Sequence, residues 1–314
     1  MAAAERGRES ERQPQGKRTG EGLGVLAAIL SSSLGGVTTA VTRYVIGATD
    51  PVTLAALRFG LGFLLLLPIA FALKSRWPGR KDRLGTALLG ILFFAVFFGL
   101  FNLALRYTSA ARGALAVSTL PLMTMLAASA LRVEPLTRRK SLGVFIAIAG
   151  VVVALLAGLK EAPQGAWRGD AIMLAATVCF SLYSLWSRPF VARSSPLGFV
   201  TVSMGFGSLV VSLLALFSGG FARTSDFGAG QWTAIAYLAV FGAALTFFLW
   251  VYALAHTTPT RVTNTITLNP VMASIVASFL VGEPIGLSLF VGILAVFSGI
   301  LIASTASCTA RGRG

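Results

Sequence analysis

Runs of mostly apolar residues, each roughly 20 long and so matched to the hydrocarbon thickness of a bilayer, recur along the chain with short polar breaks between them. They predict helices over 22–42, 52–73, 84–105, 110–131 and 141–158, then over 170–188, 197–217, 231–254, 260–281 and 285–304. The breaks carry Pro, Gly and charge, as in Trp77-Pro78-Gly79-Arg80 and Ala162-Pro163-Gln164-Gly165, and leave no room for an extramembrane domain. The expected fold class is therefore all-α integral membrane, with ten transmembrane helices. Residues 1–20 hold no apolar residue beyond Met1 and Ala2 to Ala4, which predicts a disordered basic tail, and 305–314 form a second tail. The run from Gly22 to Val41 exceeds the roughly 7–15 residues of a signal-peptide core, so it is expected to stay as the first helix.

A second pattern lies over the first. At one ungapped offset of 149, Arg112 maps to Arg261, Pro121 to Pro270, Glu134 to Glu283, Pro135 to Pro284, Gly143 to Gly292, Gly150 to Gly299 and Glu21 to Asp170. Apolar coincidences are cheap, but a matching Arg, Glu and two Pro mark an internal repeat. The chain divides into helices 1–5 (22–158) and helices 6–10 (170–304). With an odd number of helices in each half, the second half enters the membrane from the opposite side, which predicts inverted repeats.

Composition sharpens this. The chain is 55% hydrophobic and only 12% charged, against roughly a quarter charged in soluble domains, so a soluble fold is excluded. A net charge of +15 could suggest nucleic acid, yet the Lys and Arg lie between apolar runs and form no aqueous basic face. Nineteen of the 26 lie in the two tails and on alternate connections, six lie on the opposite side, and Arg58 falls inside helix 2. By the positive-inside rule both termini face the cytoplasm, in the plasma (inner) membrane. Two cysteines, Cys179 and Cys308, and one histidine, His256, supply no disulfide framework and no metal box, and no cofactor is expected.

With these residues in view, the chain resembles the drug/metabolite transporter superfamily, specifically its EamA-type ten-helix transporters. The resemblance covers nearly all of 22–304 and is carried by Ala56-Leu57-Arg58-Phe59, by the segment from Ala104 through Pro121 to Glu134-Pro135 and Gly150, and by its second copy from Ala253 through Asn269-Pro270 to Gly282-Glu283-Pro284 and Gly299. Arg132-Val133-Glu134 stands where the family usually has Leu-Gly-Glu, a departure that bears on the loop alone. The resemblance implies a cavity between the halves, alternating access, and small polar metabolites or drugs as substrates, commonly exported.

Arg58 is the first candidate for a substrate or gating contact, since a charge inside a span costs at least ~2.5 kcal/mol unless it meets a cavity or a partner; snorkelling or pinning a helix end is the other reading. Pro121 and Pro270 break helices 4 and 9 at matching positions, where a freed carbonyl can line a path or merely kink a helix. Thr260, Asn264 and Thr267 share a face of helix 9, with Asn269 nearby, and either line a path or hold helices together. Ser118 joins the candidates, as does Asn102 of helix 3, for which close packing is the preferred reading. Helix 1 offers Ser31, Gly35, Thr38 and Thr42, for which close packing is the preferred reading, as it is for Gly143, Ala147, Gly150 and Ala154. Tyr183, Trp186, Trp250 and Tyr252 suit either an aromatic substrate wall or interfacial anchors, with anchoring preferred. His256 is expected at the surface, and Glu134 and Glu283 at helix ends.

None of the eleven acidic residues falls in the centre of a predicted span, where a proton relay would sit. Exchange, facilitated export or coupling through the substrate is the expectation. An intramembrane enzyme lacks its constellation here: there is no His-Glu-x-x-His motif and no paired aspartates within spans. The function expected is a secondary transporter of a small polar metabolite, an amino acid or related carboxylate first because of Arg58. Drug-like or nucleotide-type efflux and a non-transporting membrane sensor or scaffold are the alternatives. A monomer suffices for this function, and a homodimer is compatible with it.

Overall fold

The computed structural model describes residues 2–131, 138–157 and 162–287, with parts of 290–298. Every described element is helical: α1 (Ala2–Val45), α2 (Pro51–Ala72), α3 (Arg83–Gly90), α4 (Phe98–Tyr107), α5 (Ala110–Val117), α6 (Leu120–Ala130), α7 (Arg138–Ala157), α8 (Ala166–Arg193), α9 (Pro196–Phe217), α10 (Ala229–Ala239), α11 (Thr246–His256), α12 (Pro259–Asn264) and α13 (Leu268–Val281).

Eight helical stretches among the described residues are long and apolar enough to cross a bilayer: Glu21–Val45, Pro51–Ala72, Arg83–Tyr107, Ala110–Ala130, Ala166–Arg193, Pro196–Phe217, Ala229–His256 and Arg261–Val281. These agree with eight of the ten expected spans. The fifth is occupied by α7, which is not among the eight, and the tenth lies largely outside the described residues, as do Glu134 and Pro135. Residues 2–20 depart from the expected disordered tail, since α1 continues through them. Their Ala, Glu, Arg, Gln and Lys favour a helix while Pro14 and the glycines oppose it, and a span already in place removes the cost of nucleation.

Turn chemistry sets the helix starts. Asp50 caps α2, its carboxylate accepting from the N–H groups of Val52 (3.0 Å) and Thr53 (2.9 Å), with Pro51 in the first turn. Ser109 caps α5 and Thr258 caps α12, the same position in each half, and Ser195 caps α9. Gly282, at φ 70°, ends α13 in the left-handed conformation that glycine adopts without penalty.

The irregularities repeat as faithfully as the helices. A π-helical segment, Ile91–Phe97, joins α3 to α4, and another, Val240–Leu245, joins α10 to α11 at positions 149 later. The fourth span breaks at Ser118 and Thr119 between α5 and α6; the ninth breaks at Thr265–Thr267 between α12 and α13. Packing between the halves is reciprocal too: α1 lies against α11 and α13, α8 against α4, α5 and α6, and α2 against α9. Hydrogen bonds fix directions. Glu21 at the start of the first span pairs with Arg261, while Arg43 near the end of α1 bonds the Leu105 carbonyl (2.7 Å) and Glu283 (3.1 Å). Helix α8 starts beside Thr108 and Arg112 and ends where Arg193 meets Asp82, so it runs opposite to α1.

Glycines allow the closest crossings. A Cβ on Gly90 would lie 2.0 Å from the Ser203 carbonyl oxygen, and one on Gly207 would lie 2.5 Å from the Gly90 carbonyl oxygen, so α3 and α9 touch backbone to backbone. Gly150 of α7 packs closely on the Ala295 methyl, 2.0 Å from where its Cβ would stand.

Glu283 ties the halves together at one end. Its Oε2 accepts the N–H of Ala110, a donor that the first turn of α5 leaves without a helical partner, while its Oε1 takes Arg43. Glu283→Ala should therefore lower stability by roughly 1–3 kcal/mol, the cost of stranding a buried donor and a cation. Thermal unfolding of the purified protein in detergent checks this, with Glu283→Gln expected to lose less because its amide oxygen still accepts from Ala110.

Candidate functional site

A cavity of about 40 Å³ is lined by Ser31, Gly35, Thr38 and Thr39 of α1, Arg58 of α2, Phe97, Phe98 and Phe101, Val117, Phe180 of α8, Thr246, Phe247 and Trp250 of α11, Ile266 and Asn269. That volume holds a few water molecules.

The lining follows the repeat. Ser31 and Phe180, Phe97 and Thr246, Phe98 and Phe247, Phe101 and Trp250, and Val117 and Ile266 are pairs separated by 149, so both halves build the chamber with the same positions. The π-helical segments aim Phe97 and Phe98 in one half, and Thr246 and Phe247 in the other, while the breaks after Val117 and around Ile266 bring two chain ends to the wall. The polar groups break the symmetry. Gly207 stands at the position equivalent to Arg58, and Leu120 at that of Asn269.

Arg58 is 2% exposed. One terminal nitrogen donates to the Gly242 carbonyl inside the second π-helical segment (2.6 Å), and the other approaches the Thr42 hydroxyl (3.4 Å). Its guanidinium carbon sits 5.1 Å from the Phe59 ring centre and 4.8 Å from that of Phe98, within cation–π range. No carboxylate pairs with it among the described residues. Its Nε is unpartnered, and so are buried polar atoms of two other cavity-lining residues, the Trp250 indole N–H and the Asn269 side-chain oxygen. Two donors and one acceptor thus await partners around an aromatic chamber. Each is costly to leave unsatisfied in a water-poor site.

Of the residues singled out from sequence, Arg58 and Asn269 reach the cavity, and so do Ser31, Gly35 and Thr38, for which the sequence favours close packing. Both hold for Gly35, whose missing Cβ would stand 3.0 Å from the Asn269 side-chain oxygen. Trp250 reaches it as well, and the others lie elsewhere. Asn102 is buried with its amide on the Pro51 carbonyl (2.9 Å), and the Ser118 and Thr267 hydroxyls turn back onto the carbonyls of Leu115 (2.6 Å) and Asn264 (2.9 Å). Pro121 and Pro270 are buried in the first turns of α6 and α13, so they start new helical segments rather than kinking continuous ones. Asn264 is half-buried in α12, off the cavity wall, and the side chain of Thr260 lies outside the described residues. Tyr183 is fully buried and stacks on Phe93 at 4.1 Å, and Trp250 is buried on the cavity, so neither anchors at an interface. Trp186 is 43% exposed on the outer face, as an anchor would be, and His256 is exposed beneath Tyr252.

Sequence reasoning missed Phe97, Phe98, Phe101, Phe180, Thr246 and Phe247. The offset alone could have found several, because it superposes Phe98 on Phe247 and Phe101 on Trp250.

Comparison with known proteins agrees with this architecture. The model of the EamA-like transporter family matches twice, over residues 22–156 and 167–305. The chain is 31% identical over 273 residues to the uncharacterized transporter YyaM of Bacillus subtilis, covering 86% of this chain and 89% of that one. It is 28% identical over 263 residues to a second such transporter of that organism, YetK, covering 80% and 78%. A solved crystal structure superposes with a TM-score of 0.65 over 95% of this chain and 99% of its own, at 19% identity, a likeness of fold alone.

Proposed function

The chain belongs to the EamA-like transporter family, and from that premise we propose that it carries an amino acid or related small carboxylate outward across the plasma membrane, by alternating access between two inverted halves of five helices. The observation that carries the substrate class is Arg58, a buried guanidinium on a cavity wall with no acidic partner among the described residues. A carboxylate entering the chamber meets the Arg58 Nε–H and the Trp250 N–H, both of which lack acceptors, and an α-ammonium meets the Asn269 oxygen, which lacks a donor. The phenyl rings then cover an apolar side chain.

The reading also fits the acids. Asp50 is spent as a helix cap, and Glu21 and Asp170 are held by arginines, so none stands free on the cavity as a cation receptor or proton relay. Cationic drug efflux is disfavoured on that ground. The charge segregation along the sequence supports cytoplasmic termini, and the opposed directions of α1 and α8 support the inversion.

A thermal-shift screen of the purified protein against amino acids and organic acids, followed by flux into proteoliposomes with the hits, tests this. Carboxylate-bearing compounds should stabilise the protein and exchange, and their amides should not. Stabilisation by amines or nucleotides alone would replace the substrate class, and ligand binding without flux would favour a sensor.

A further inference from the structure

Outside the cavity, the most telling feature is a pair of ion pairs that are copies of one another with the halves exchanged. Arg112, in the first turn of α5, holds Asp170 at the start of α8, and Arg261, in the first turn of α12, holds Glu21 at the start of the first span. The offset of 149 carries Arg112 to Arg261 and Glu21 to Asp170, so each pair joins the broken helix of one half to the first helix of the other. They sit at opposite ends of the molecule. The Arg112 pair lies beside Ala110, where Glu283 and Arg43 meet, and Arg43 is 22 residues along α1 from Glu21, roughly 33 Å at the helical rise.

The copies are in different states. At the Arg112 end the side chains of Arg and Asp are 11% and 8% exposed, and Thr108 donates its hydroxyl to the second Asp170 oxygen at 2.7 Å. At the Arg261 end the side chains of Arg and Glu are 57% and 45% exposed. Thr257, the copy of Thr108, is buried there with its hydroxyl unpartnered. One end has both bonds to the carboxylate made and packed away from water, and the other has the same three positions with the threonine bond unmade.

We propose that Thr108-Asp170-Arg112 and Thr257-Glu21-Arg261 are two latches that close the opposite ends of the transport path in turn. In this structure the Arg112 end is shut and the Arg261 end is loose, which is the cytoplasm-facing state under the charge-derived orientation. In the outward-facing state Glu21 buries and accepts the Thr257 hydroxyl, while Asp170 releases Thr108 and becomes exposed. This rests on the transport reading and adds to it the parts that separate the two states. Asp170 and Glu21 act by positioning helices and touch no substrate.

The test reads which side the cavity faces without needing a substrate. In a Cys179→Ala, Cys308→Ala background, Ser31→Cys places a thiol on the cavity wall, and a membrane-impermeant maleimide is applied to right-side-out and inside-out vesicles. Asp170→Asn should raise labelling from outside relative to inside by on the order of tenfold, as expected when one partner of a buried pair is removed, and Glu21→Gln should shift the ratio the other way. Thr108→Val, which removes one hydrogen bond and no charge, should shift it in the Asp170→Asn direction by less. It stands in for Asp170→Asn if that variant elutes as aggregate on gel filtration. Exchanging the charges, Arg112→Asp with Asp170→Arg, should return the ratio toward that of the parent. An unchanged ratio in Glu21→Gln and in the folded member of the Asp170→Asn and Thr108→Val pair, or a shift of both to one side, overturns the proposal. A parent protein that moves no substrate in the flux assay would instead fail the functional reading and leave the labelling ratios to judge the latches.

Discussion

Arg58→Ala should insert and purify in near-normal yield yet lose transport by roughly ten- to a hundredfold, the loss expected when a carboxylate forfeits one charged donor at roughly 1.5–3 kcal/mol. Insertion should survive because the substitution removes a costly intramembrane charge. The Gly242 carbonyl loses its donor, but it sits in a π-helical segment and beside a cavity that water can enter. Arg58→Lys should recover only part of the activity, since one ammonium cannot both hold Gly242 and present a second donor to substrate. The measurement is initial rate against substrate concentration, alongside unfolding temperature. A substituted protein with parental kinetics would remove Arg58 from substrate contact, and a large fall in unfolding temperature with the Michaelis constant unchanged would make it a helix pin.

The largest structural effect is expected at the crossing of α3 and α9. Gly90→Ala should cost several kcal/mol and bring a sharp loss of monodisperse protein, because the new methyl would stand 2.0 Å from the Ser203 carbonyl oxygen and only separation of the two helices relieves that contact. Overpacking in a core typically costs ~1–3 kcal/mol when side chains can yield; here the obstacle is backbone. Gly99→Ala, where an added Cβ meets nothing within 4 Å, serves as the control and should be neutral. Equal stability of the two proteins, read from gel filtration after heating, would contradict the close crossing.

Most of the helical framework is legible in the sequence because its causes are local. Apolar runs announce the spans, Asp50-Pro51, Ser109 and Thr258-Pro259 announce the starts, and the 149 offset announces that whatever one half does, the other repeats. The site is less legible, for reasons equally physical. A face read at 3.6 residues per turn puts Thr260, Asn264 and Thr267 together, but Thr265–Thr267 is wound more tightly and the face does not continue through it. There the Thr267 hydroxyl bonds the carbonyl of Asn264, and Asn269 reaches the cavity. The π-helical segments hide the aromatic wall for the complementary reason. One extra residue in a turn rotates the rest of the helix by roughly 100°, so Phe97, Phe98 and Phe101 face a direction that an ideal helix would not give them. Hydropathy registers none of this, since phenylalanine scores alike against lipid and against a cavity.

The crossing at Gly90 and Gly207 bears on why the site is one-sided. A chain built from two copies offers two mirror berths for a single charge, at 58 and at 207, each facing a π-helical segment. At 207 the opposing backbone stands where a Cβ would go, so that berth admits glycine and nothing larger, whereas at 58 it lies open and holds an arginine. Under the alternating-access reading proposed above, a substrate would dock in one fixed orientation on the same arginine whichever end of the path is open.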